Sequence, residues 1–255
     1  MAPLVTEAIV LHAFDYLETS RILRLLTREA GVQSVLARGA RRSRKRFGSA
    51  MDLFAQGVAE IHVRPNRELQ TLGALDVTRA RSELGEDVGR FTAASMISEI
   101  VLRFPYEEAA ADIFDTVEEC LDRIAVAPPE GTLETGLGGA WRIIADLGFT
   151  PALDVCANCH LPLDPSASVA FSHSAGGALC ARCGSLAAGS RVLPPAARDA
   201  IRTWVAGGET TRLESADARA HQRLLREFFQ EHLGTDRELR AFRVWEQGAW
   251  GGSAA

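Results

Sequence analysis

Short apolar segments separated by turn residues fill the first 80 residues of the chain. The segments are rich in Ile, Val, Leu and aromatic side chains, a composition typical of β-strands. Glu29-Ala30-Gly31 and Pro65-Asn66 predict turns, and Gly57 predicts a bulge or bend. The predicted strands are Thr6–Tyr16, Ser20–Arg28, Val32–Arg38, Met51–Arg64 and Leu69–Val77. Five strands without a helical period favour a small closed barrel, with an OB-fold as the first candidate and an SH3-like barrel as the second.

After the predicted barrel, the apolar residues recur with the helical period. The apolar positions of the first helix and of its lead-in are Leu84, Val88, Phe91, Ile97, Ile100, Val101 and Phe104. Further helices are predicted around residues 113–124, 137–147, 201–205 and 224–233. We interpret their apolar faces as packing on one another to form a core, rather than as a groove for a partner. Cys120 lies on one of these faces and is interpreted as a core residue.

Four of the five cysteines form two closely spaced pairs. Cys156 and Cys159 make one CxxC turn, and Cys180 and Cys183 make a second after 20 intervening residues. Two such turns bring four thiolates together in a cage suited to one zinc ion. A redox dithiol needs only one pair, whereas an iron–sulfur cluster also uses four cysteines and stays open as an alternative. Four sulfur ligands leave no position for water, so the predicted zinc is structural.

Other residues of the cysteine segment have simpler interpretations. Gly176-Gly177 predicts a sharp turn before the second pair. His160 and His173 could replace a cysteine ligand, but with four cysteines present we interpret both as surface residues.

The change of pattern along the chain predicts a multidomain α+β protein. An OB-fold barrel spans 1–80, and a helical domain spans 81–150 and 191–247. A four-cysteine zinc finger spanning 151–190 is inserted into that helical domain. The tail 248–255 consists of small and polar residues and is expected to be disordered.

The composition of the chain indicates its cellular compartment and shows that charge is distributed unevenly along the sequence. The 255 residues are 47% apolar and include no stretch that approaches a membrane span, and residues 1–7 lack the features of a signal peptide. We therefore expect a cytoplasmic protein, in which paired cysteines bind metal more often than they form disulfides. Residues 1–80 carry twelve Arg and Lys against eight acids, whereas the rest of the chain has a net charge of −9. A basic N-terminal third predicts a module that binds a polyanion.

The basic charge is concentrated between the third and fourth predicted strands. Six cations fall within nine residues, and they are Arg38, Arg41, Arg42, Arg44, Lys45 and Arg46. Arginine suits phosphate because its planar fork pairs with two oxygens. Aromatic residues could stack bases beside this loop, with Phe47 and Phe54 preferred over Tyr16. Arg21, Arg24, Arg64 and Arg67 could extend the phosphate track, while the alternative interpretation is a solvated loop without a ligand.

Motifs for catalysis are absent from the sequence. It contains no Walker A, HExxH, GxSxG or GxGxxG pattern, and the six histidines form no spaced constellation. We therefore expect a binding protein rather than an enzyme. From the residues alone, DNA and RNA stay open as ligands, and the second hypothesis is an RNA-binding OB-fold/zinc-ribbon protein of translation or transcription.

The order of these parts resembles the RecO family of recombination mediator proteins. The segment Thr6–Leu11 resembles the first strand of that family, and Arg38–Arg42 before Phe47-Gly48 resembles its basic element. The cysteine segment resembles its zinc region from Leu147 onwards, through Phe171-Ser172 and Gly176-Gly177. The late His232-Leu233-Gly234 also fits, so the resemblance covers nearly the whole chain.

The resemblance implies a fold and an activity. The fold is an OB-fold followed by a helical domain with an inserted zinc finger. The implied activity is binding of single- and double-stranded DNA and annealing of complementary strands. With RecR, and often RecF, such proteins help to load RecA onto strands coated by single-stranded-DNA-binding protein, whose C-terminal tail they contact. We expect that tail in an apolar cleft edged by Arg103, Arg123 or Arg142.

Overall fold

A computed structural model describes residues 3–40, 52–104, 111–209, 212–233 and 239–248. The chain divides into two compact units, Met1–Ala127 and Pro128–Ala255. The first unit contains a β-barrel and helices, and the second contains the cysteine segment and further helices. Within the described ranges, no helix combines the length and the apolar character needed to cross a membrane.

The first unit begins with a closed five-stranded barrel. Its strands are β1 Leu4–Tyr16, β2 Ser20–Thr27, β3 Gly31–Ala37, β4 Gln56–His62 and β5 Leu69–Arg79. They follow the order β1-β2-β3-β5-β4, and β4 pairs with β1 to close the barrel. Neighbouring strands are antiparallel, except that β3 and β5 are parallel. This architecture confirms the predicted OB-like barrel.

The fourth strand is shorter than the predicted Met51–Arg64. Its register with β5 shifts between Gln56 and Gly57, where the sequence predicts an irregularity. A side chain at Gly57 would place its Cβ 2.1 Å from the backbone oxygen of Asp76. Glycine is therefore required at this position because the two strands approach each other too closely for any Cβ.

The barrel interior is filled by every second residue of its strands. Because side chains alternate between the two faces of a strand, one set lies in the core and the other faces outward. The buried inner set includes Ala8, Val10, Leu23, Leu25, Val35, Ala37, Ala59, Ile61, Leu72 and Leu75. The alternation of small and large apolar residues lets five strands close around a packed interior.

Three described helices follow the barrel in the first unit, α1 Glu83–Glu86, α2 Val88–Leu102 and α3 Ala111–Val126. Asp87 starts α2, since its side chain accepts a hydrogen bond of 2.8 Å from the Arg90 N–H. The predicted apolar face of α2 is buried, whereas the predicted lead-in residues Val88 and Phe91 are exposed by 59% and 38%. These two lead-in residues therefore lie on the more exposed side of the first turn of α2, whereas Gly89 and Thr92 in the same part of the helix are buried. Cys120 is buried on α3, as predicted.

A buried arginine ties the barrel to α3. The side chain of Arg81 is 2% exposed, and its Nε donates to Asp122 Oδ1 at 2.6 Å. Its other two nitrogens donate to the Phe54 carbonyl at 2.9 Å and to Gln56 Oε1 at 2.6 Å. Burial lowers the pKa of Arg81, and the Asp122 carboxylate opposes that shift. One guanidinium thus connects α3 with the backbone that enters β4.

The second unit combines helices with a small sheet. Its elements in chain order are α4 Thr132–Asp146, β6 Val169–Ser172, β7 Gly177–Leu179, α5 Ala181–Gly184, β8 Arg191–Leu193, α6 Pro195–Val205, α7 Ser215–Leu233 and α8 Arg240–Gln247. The three strands pair in the order β7-β6-β8. Large aromatic residues fill the helical core, namely Trp141, Trp204, Phe228, Phe229, Phe242 and Trp245. Pro195 occupies the first turn of α6, a position that proline favours because its missing N–H would have no partner there.

Candidate metal centre and nucleic-acid surface

The structure brings the four predicted cysteine ligands together. The Sγ atoms of Cys156, Cys159, Cys180 and Cys183 all lie within 4.8 Å of one another. Cys156 is buried, Cys159 is exposed, and the second pair is half-buried. Among the described residues, these four cysteines form the group of possible metal ligands whose ligand atoms lie close enough together to hold one metal ion.

Each pair of cysteines sits in a tight turn closed by backbone hydrogen bonds. In the first turn the Cys156 N–H donates to the Leu161 carbonyl at 2.8 Å, and the His160 N–H donates to the Cys156 carbonyl at 2.9 Å. In the second turn the Gly184 N–H donates to the Cys180 carbonyl at 2.8 Å, which forms the short helix α5. Two rigid turns thus present their thiols to one point.

The two glycines before the second pair allow the turns to approach each other. Gly176 has a φ of +76°, and the Ala152 N–H donates to its carbonyl at 3.0 Å. A Cβ on Gly177 would lie 2.3 Å from the Ala152 oxygen, so no other residue fits there. The predicted Gly176-Gly177 turn therefore places β7 against the segment that leads to Cys156.

The chemistry of the four thiols fits a soft cation. Burial alone would raise the pKa of Cys156, but the N–H groups of Cys180, Cys159 and Asn158 stabilise its thiolate and lower the pKa to about 6. Sharing a hydrogen bond with Cys180, together with burial, raises the pKa of Cys183 to about 12. One thiolate is already favoured, while a second negative charge is opposed unless a cation neutralises it. Four converging sulfur donors could hold a metal ion, and they fit the predicted zinc.

The cysteine segment is anchored to helix α7 by aromatic and charged contacts. The Phe171 ring centroid on β6 lies 5.9 Å from that of Phe228, which in turn lies 5.3 Å from that of Trp141. His173 was expected at the surface, but its side chain is 12% exposed and its Nε2 lies 3.0 Å from Glu227 Oε2. The surface interpretation of His173 is therefore wrong, because the residue packs against α7. Burial lowers its pKa.

Part of the predicted DNA-binding surface lies outside the described residues. This applies to Arg41, Arg42, Arg44, Lys45, Arg46 and Phe47. Arg38, immediately before that segment, is exposed in the turn after β3. Arg64 and Arg67 are exposed in the connection between β4 and β5. That connection is held by the buried Gln70, whose amide nitrogen donates to the Arg67 carbonyl at 2.5 Å and whose amide oxygen accepts from the Arg64 N–H at 2.7 Å.

Two further predicted arginines lie on β2. Arg21 Nε donates to Asp15 Oδ1 on β1 at 3.0 Å. Arg24 is half-buried on the outer face, between His12 of β1 and Ser34 of β3. Its Nε is buried without a hydrogen-bond partner among the described residues, and burial lowers its pKa. A partly buried guanidinium whose Nε lacks a hydrogen-bond partner is stabilised when an anion binds to it.

The predicted stacking residues differ in how accessible they are. Phe54 is 2% exposed and packs against Phe91, with their ring centroids 5.8 Å apart, so the hypothesis that it stacks bases is wrong. Tyr16 is 40% exposed and retains a free surface. Sequence reasoning missed Phe14, which is 43% exposed, and the exposed His12 beside it. Their alternation with Tyr16 along β1 was the available signal.

The fold and the cysteine cluster define the chain as an OB-barrel protein with a four-cysteine centre in its helical half. The family model described as "Recombination protein O N terminal" matches residues 1–81, and "Recombination protein O C terminal" matches residues 85–240. The chain belongs to the RecO family of DNA repair and recombination proteins.

Individual relatives agree with the family models. "DNA repair protein RecO" of Anaeromyxobacter sp. (strain Fw109-5) is 33% identical, over 92% of this chain and 93% of that protein. The protein of the same name from Anaeromyxobacter dehalogenans (strain 2CP-C) is 35% identical, over 92% of this chain and 93% of its own. That of Desulfatibacillum aliphaticivorans is 27% identical, over 92% and 94% of the two chains. The similarity therefore includes both the barrel and the cysteine segment.

Proposed function

We propose that this chain is a non-enzymatic mediator of DNA repair and homologous recombination. It binds single- and double-stranded DNA and anneals complementary strands. Together with RecR, and with RecF, it helps to load RecA onto DNA coated by single-stranded-DNA-binding protein. The observation that carries the proposal is the continuous match to both halves of the RecO family, over residues 1–81 and 85–240.

The barrel is the proposed DNA-binding domain. Its exposed cations Arg38, Arg64 and Arg67 and the half-buried Arg24 support this assignment, because phosphate contacts need accessible positive charge. We assign phosphate binding to Arg21, Arg24, Arg38, Arg41, Arg42, Arg44, Lys45, Arg46, Arg64 and Arg67. Phe47 is assigned to base stacking beside them.

One zinc ion per chain is the proposed cofactor. Cys156, Cys159, Cys180 and Cys183 would hold it, as their convergent thiols support. Bound zinc neutralises the thiolates and cross-links the two turns, so its role is structural. In this proposal the four cysteines hold the metal ion and do not contact DNA.

Partner binding is assigned to the helical parts of the chain. The acidic, apolar C-terminal tail of single-stranded-DNA-binding protein would lie in an apolar cleft with an arginine at its edge. The candidates are Arg103, Arg123 and Arg142. Arg103 and Arg123 make helical ion pairs at 3.5 Å and 3.7 Å, with Glu99 and Glu119 respectively. Partly exposed ion pairs of this kind contribute little to the free energy of folding. A carboxylate of the partner could therefore replace the glutamate beside the arginine at little cost.

An annealing assay on coated strands tests the proposed function. Two complementary DNA strands are each saturated with single-stranded-DNA-binding protein, and duplex formation is followed with and without the full chain. We expect faster annealing with the chain, because it binds both strands and removes the barrier set by the coat. Duplicate reactions with RNA strands discriminate the alternative, since selective binding to RNA would favour a protein of translation or transcription. No acceleration on bare or coated DNA would overturn the mediator proposal.

The salt dependence of binding tests the basic segment. If Arg38, Arg41, Arg42, Arg44, Lys45 and Arg46 each displace a counterion from single-stranded DNA, the slope of log K against log salt should approach roughly −4. Changing Arg41, Arg42 and Arg44 together to Ala should make that slope less steep by about 2. The affinity should fall similarly for every base sequence, because phosphate contacts carry no sequence information. Fluorescence anisotropy over a series of salt concentrations gives both quantities.

A charge-matched variant controls for the loss of three cations. Arg182, Arg219 and Arg223 are exposed in the second unit and can be changed to Ala together. This control removes the same formal charge but should leave the slope within about 0.5 of the wild type. Equal slopes for wild type and the basic-segment variant would mean that the segment is a solvated loop and not the DNA site.

A further inference from the structure

An aromatic row of His12, Phe14 and Tyr16 occupies the second half of β1. The three residues alternate along the strand, so all of them face outward from the barrel. The centroids of the His12 and Phe14 rings are 5.8 Å apart. Ile9 lies on the same outer face but is fully buried, so the exposed rings are confined to the end of β1 that leads to the β1–β2 connection. Leu17 extends this surface and is 75% exposed.

The barrel core does not require rings at these positions. The core is formed by the opposite face, which carries Ala8, Val10 and Ala13 in the same strand. Phe14 is paired with Ile22 of β2 and is 43% exposed. A solvated strand face is normally polar, and a contiguous exposed apolar patch indicates a ligand surface.

The charges around the aromatic row identify the kind of ligand. Arg24 faces His12 directly across the sheet, and its buried Nε has no hydrogen-bond partner among the described residues. Arg38 follows the β3 residue that pairs with Arg21, about two strand spacings or roughly 10 Å from β1. The carboxylate in this part of β1, Asp15, is ion-paired with Arg21. Aromatic rings bordered by arginines suit a polyanion that also carries flat apolar groups.

The strand register extends this surface across the barrel. His12 pairs with Arg24, Arg24 pairs with Ser34, and Ser34 pairs with Leu69 at the start of β5. The line covers three strand spacings, or roughly 14 Å. It ends at the connection that carries Arg64 and Arg67. OB-folds bind oligonucleotides on this face, between the β1–β2 and β4–β5 connections.

We infer that the aromatic row stacks the unpaired bases of single-stranded DNA while the neighbouring arginines bind its phosphates. The inference rests on the proposed function and adds to it a basis for preferring single strands. In a duplex the bases already stack on one another, whereas the phosphates are accessible in both forms. The rings therefore contribute only when bases are free, and the arginines contribute to either form.

Strands that lack bases separate stacking from charge. The full chain is titrated with labelled poly-dT, with an abasic strand of the same length, and with a matched duplex. Phe14→Ala, Tyr16→Ala and the double variant should each weaken poly-dT binding, by roughly 5- to 150-fold for each stacked base that is lost. Binding to the abasic strand and to the duplex should stay within about twofold, with an unchanged salt slope. Phe14→Tyr keeps a ring and should restore most of the poly-dT affinity.

Val58→Ala provides the matched control. Val58 is 39% exposed on β4 and is paired with Glu7 of β1 and Asp76 of β5. The pairing of β4 with β1 ends at Ile9, so Val58 lies beside the first half of β1 and the aromatic row occupies the second half. This variant should bind all three ligands as the wild type does, and thermal unfolding checks that each variant is folded. If wild type binds poly-dT and the abasic strand equally, the stacking inference is wrong while the proposed DNA-binding function stands. Failure to bind any strand would instead refute the proposed function, and variants that lose only a protein partner would make the row a protein-docking surface.

Discussion

Removal of the metal is expected to unfold the cysteine segment and leave the barrel intact. The segment between Cys156 and Cys183 has few large apolar residues of its own, so a bound ion supplies much of its stability. Structural zinc contributes on the order of 10–16 kcal/mol of apparent binding free energy in small zinc domains. Cys183→Ser, or chelation of the wild type, should therefore abolish protection of residues 151–190 from hydrogen exchange.

The chain offers both a control and two separate reporters for this experiment. Cys120→Ala removes a buried cysteine outside the cluster and should leave about one zinc per chain, whereas Cys183→Ser should lose it. All four tryptophans lie after residue 128, so tryptophan fluorescence follows the second unit alone. Hydrogen exchange of β1 to β5 should not change. A folded, metal-free protein with full protection over 151–190 would contradict the prediction.

Loss of the metal should also loosen part of helix α7. Phe171 on β6 packs against Phe228, and Arg191 on β8 makes a bidentate ion pair with Glu227. Loss of the cysteine cluster frees both contacts, while Phe228 keeps its packing against Trp141. We therefore expect faster exchange around Glu227 but a helix that remains formed.

The cysteine cluster could be predicted from the sequence because its determinants are local. Each CxxC turn is defined by neighbouring residues and is closed by hydrogen bonds within it, such as those from His160 N–H to the Cys156 carbonyl and from Gly184 N–H to the Cys180 carbonyl. The barrel was predictable for a related reason, since alternation within each strand separates the core from the outer face. The short strands β6, β7 and β8 and the helix α8 were missed, because segments of three to eight residues show too little of either period.

Features that depend on contacts distant in sequence were not predictable. Phe54 has the composition of a stacking residue, but its backbone φ of +68° lies in a turn that places the ring against Phe91 on α2. His173 is hydrophilic by type, yet α7 covers it through Glu227, which is 54 residues away in the chain. Arg81 is a further case, because its partner Asp122 is 41 residues further on. In each case the partner that determines the environment lies on another element.

Replacement of Arg81 is expected to destabilise the first unit strongly, because its side chain is buried and serves three acceptors. Arg81→Met would leave the Phe54 carbonyl, the Gln56 amide oxygen and Asp122 Oδ1 without this donor, while Asp122 Oδ2 keeps its pair with Arg79. Breaking a buried ion pair from one side costs about 3–5 kcal/mol, and the partial exposure of Asp122 places the expected loss near the lower end, at about 3 kcal/mol. Arg81→Lys should recover only part, because an ammonium cannot serve three separated acceptors with the geometry of a guanidinium.

Arg79 provides a control that shares the same carboxylate. It also pairs with Asp122, but its side chain is 49% exposed, against 2% for Arg81. Arg79→Met should therefore cost no more than about 1 kcal/mol, since solvent replaces most of the exposed pair. Hydrogen exchange of the barrel strands under increasing denaturant measures the free energy of unfolding of the first unit, while tryptophan fluorescence of the second unit should be unchanged for both variants. Equal losses for the two arginines would show that burial does not set the strength of this anchor, and that the charge of Asp122 alone determines it.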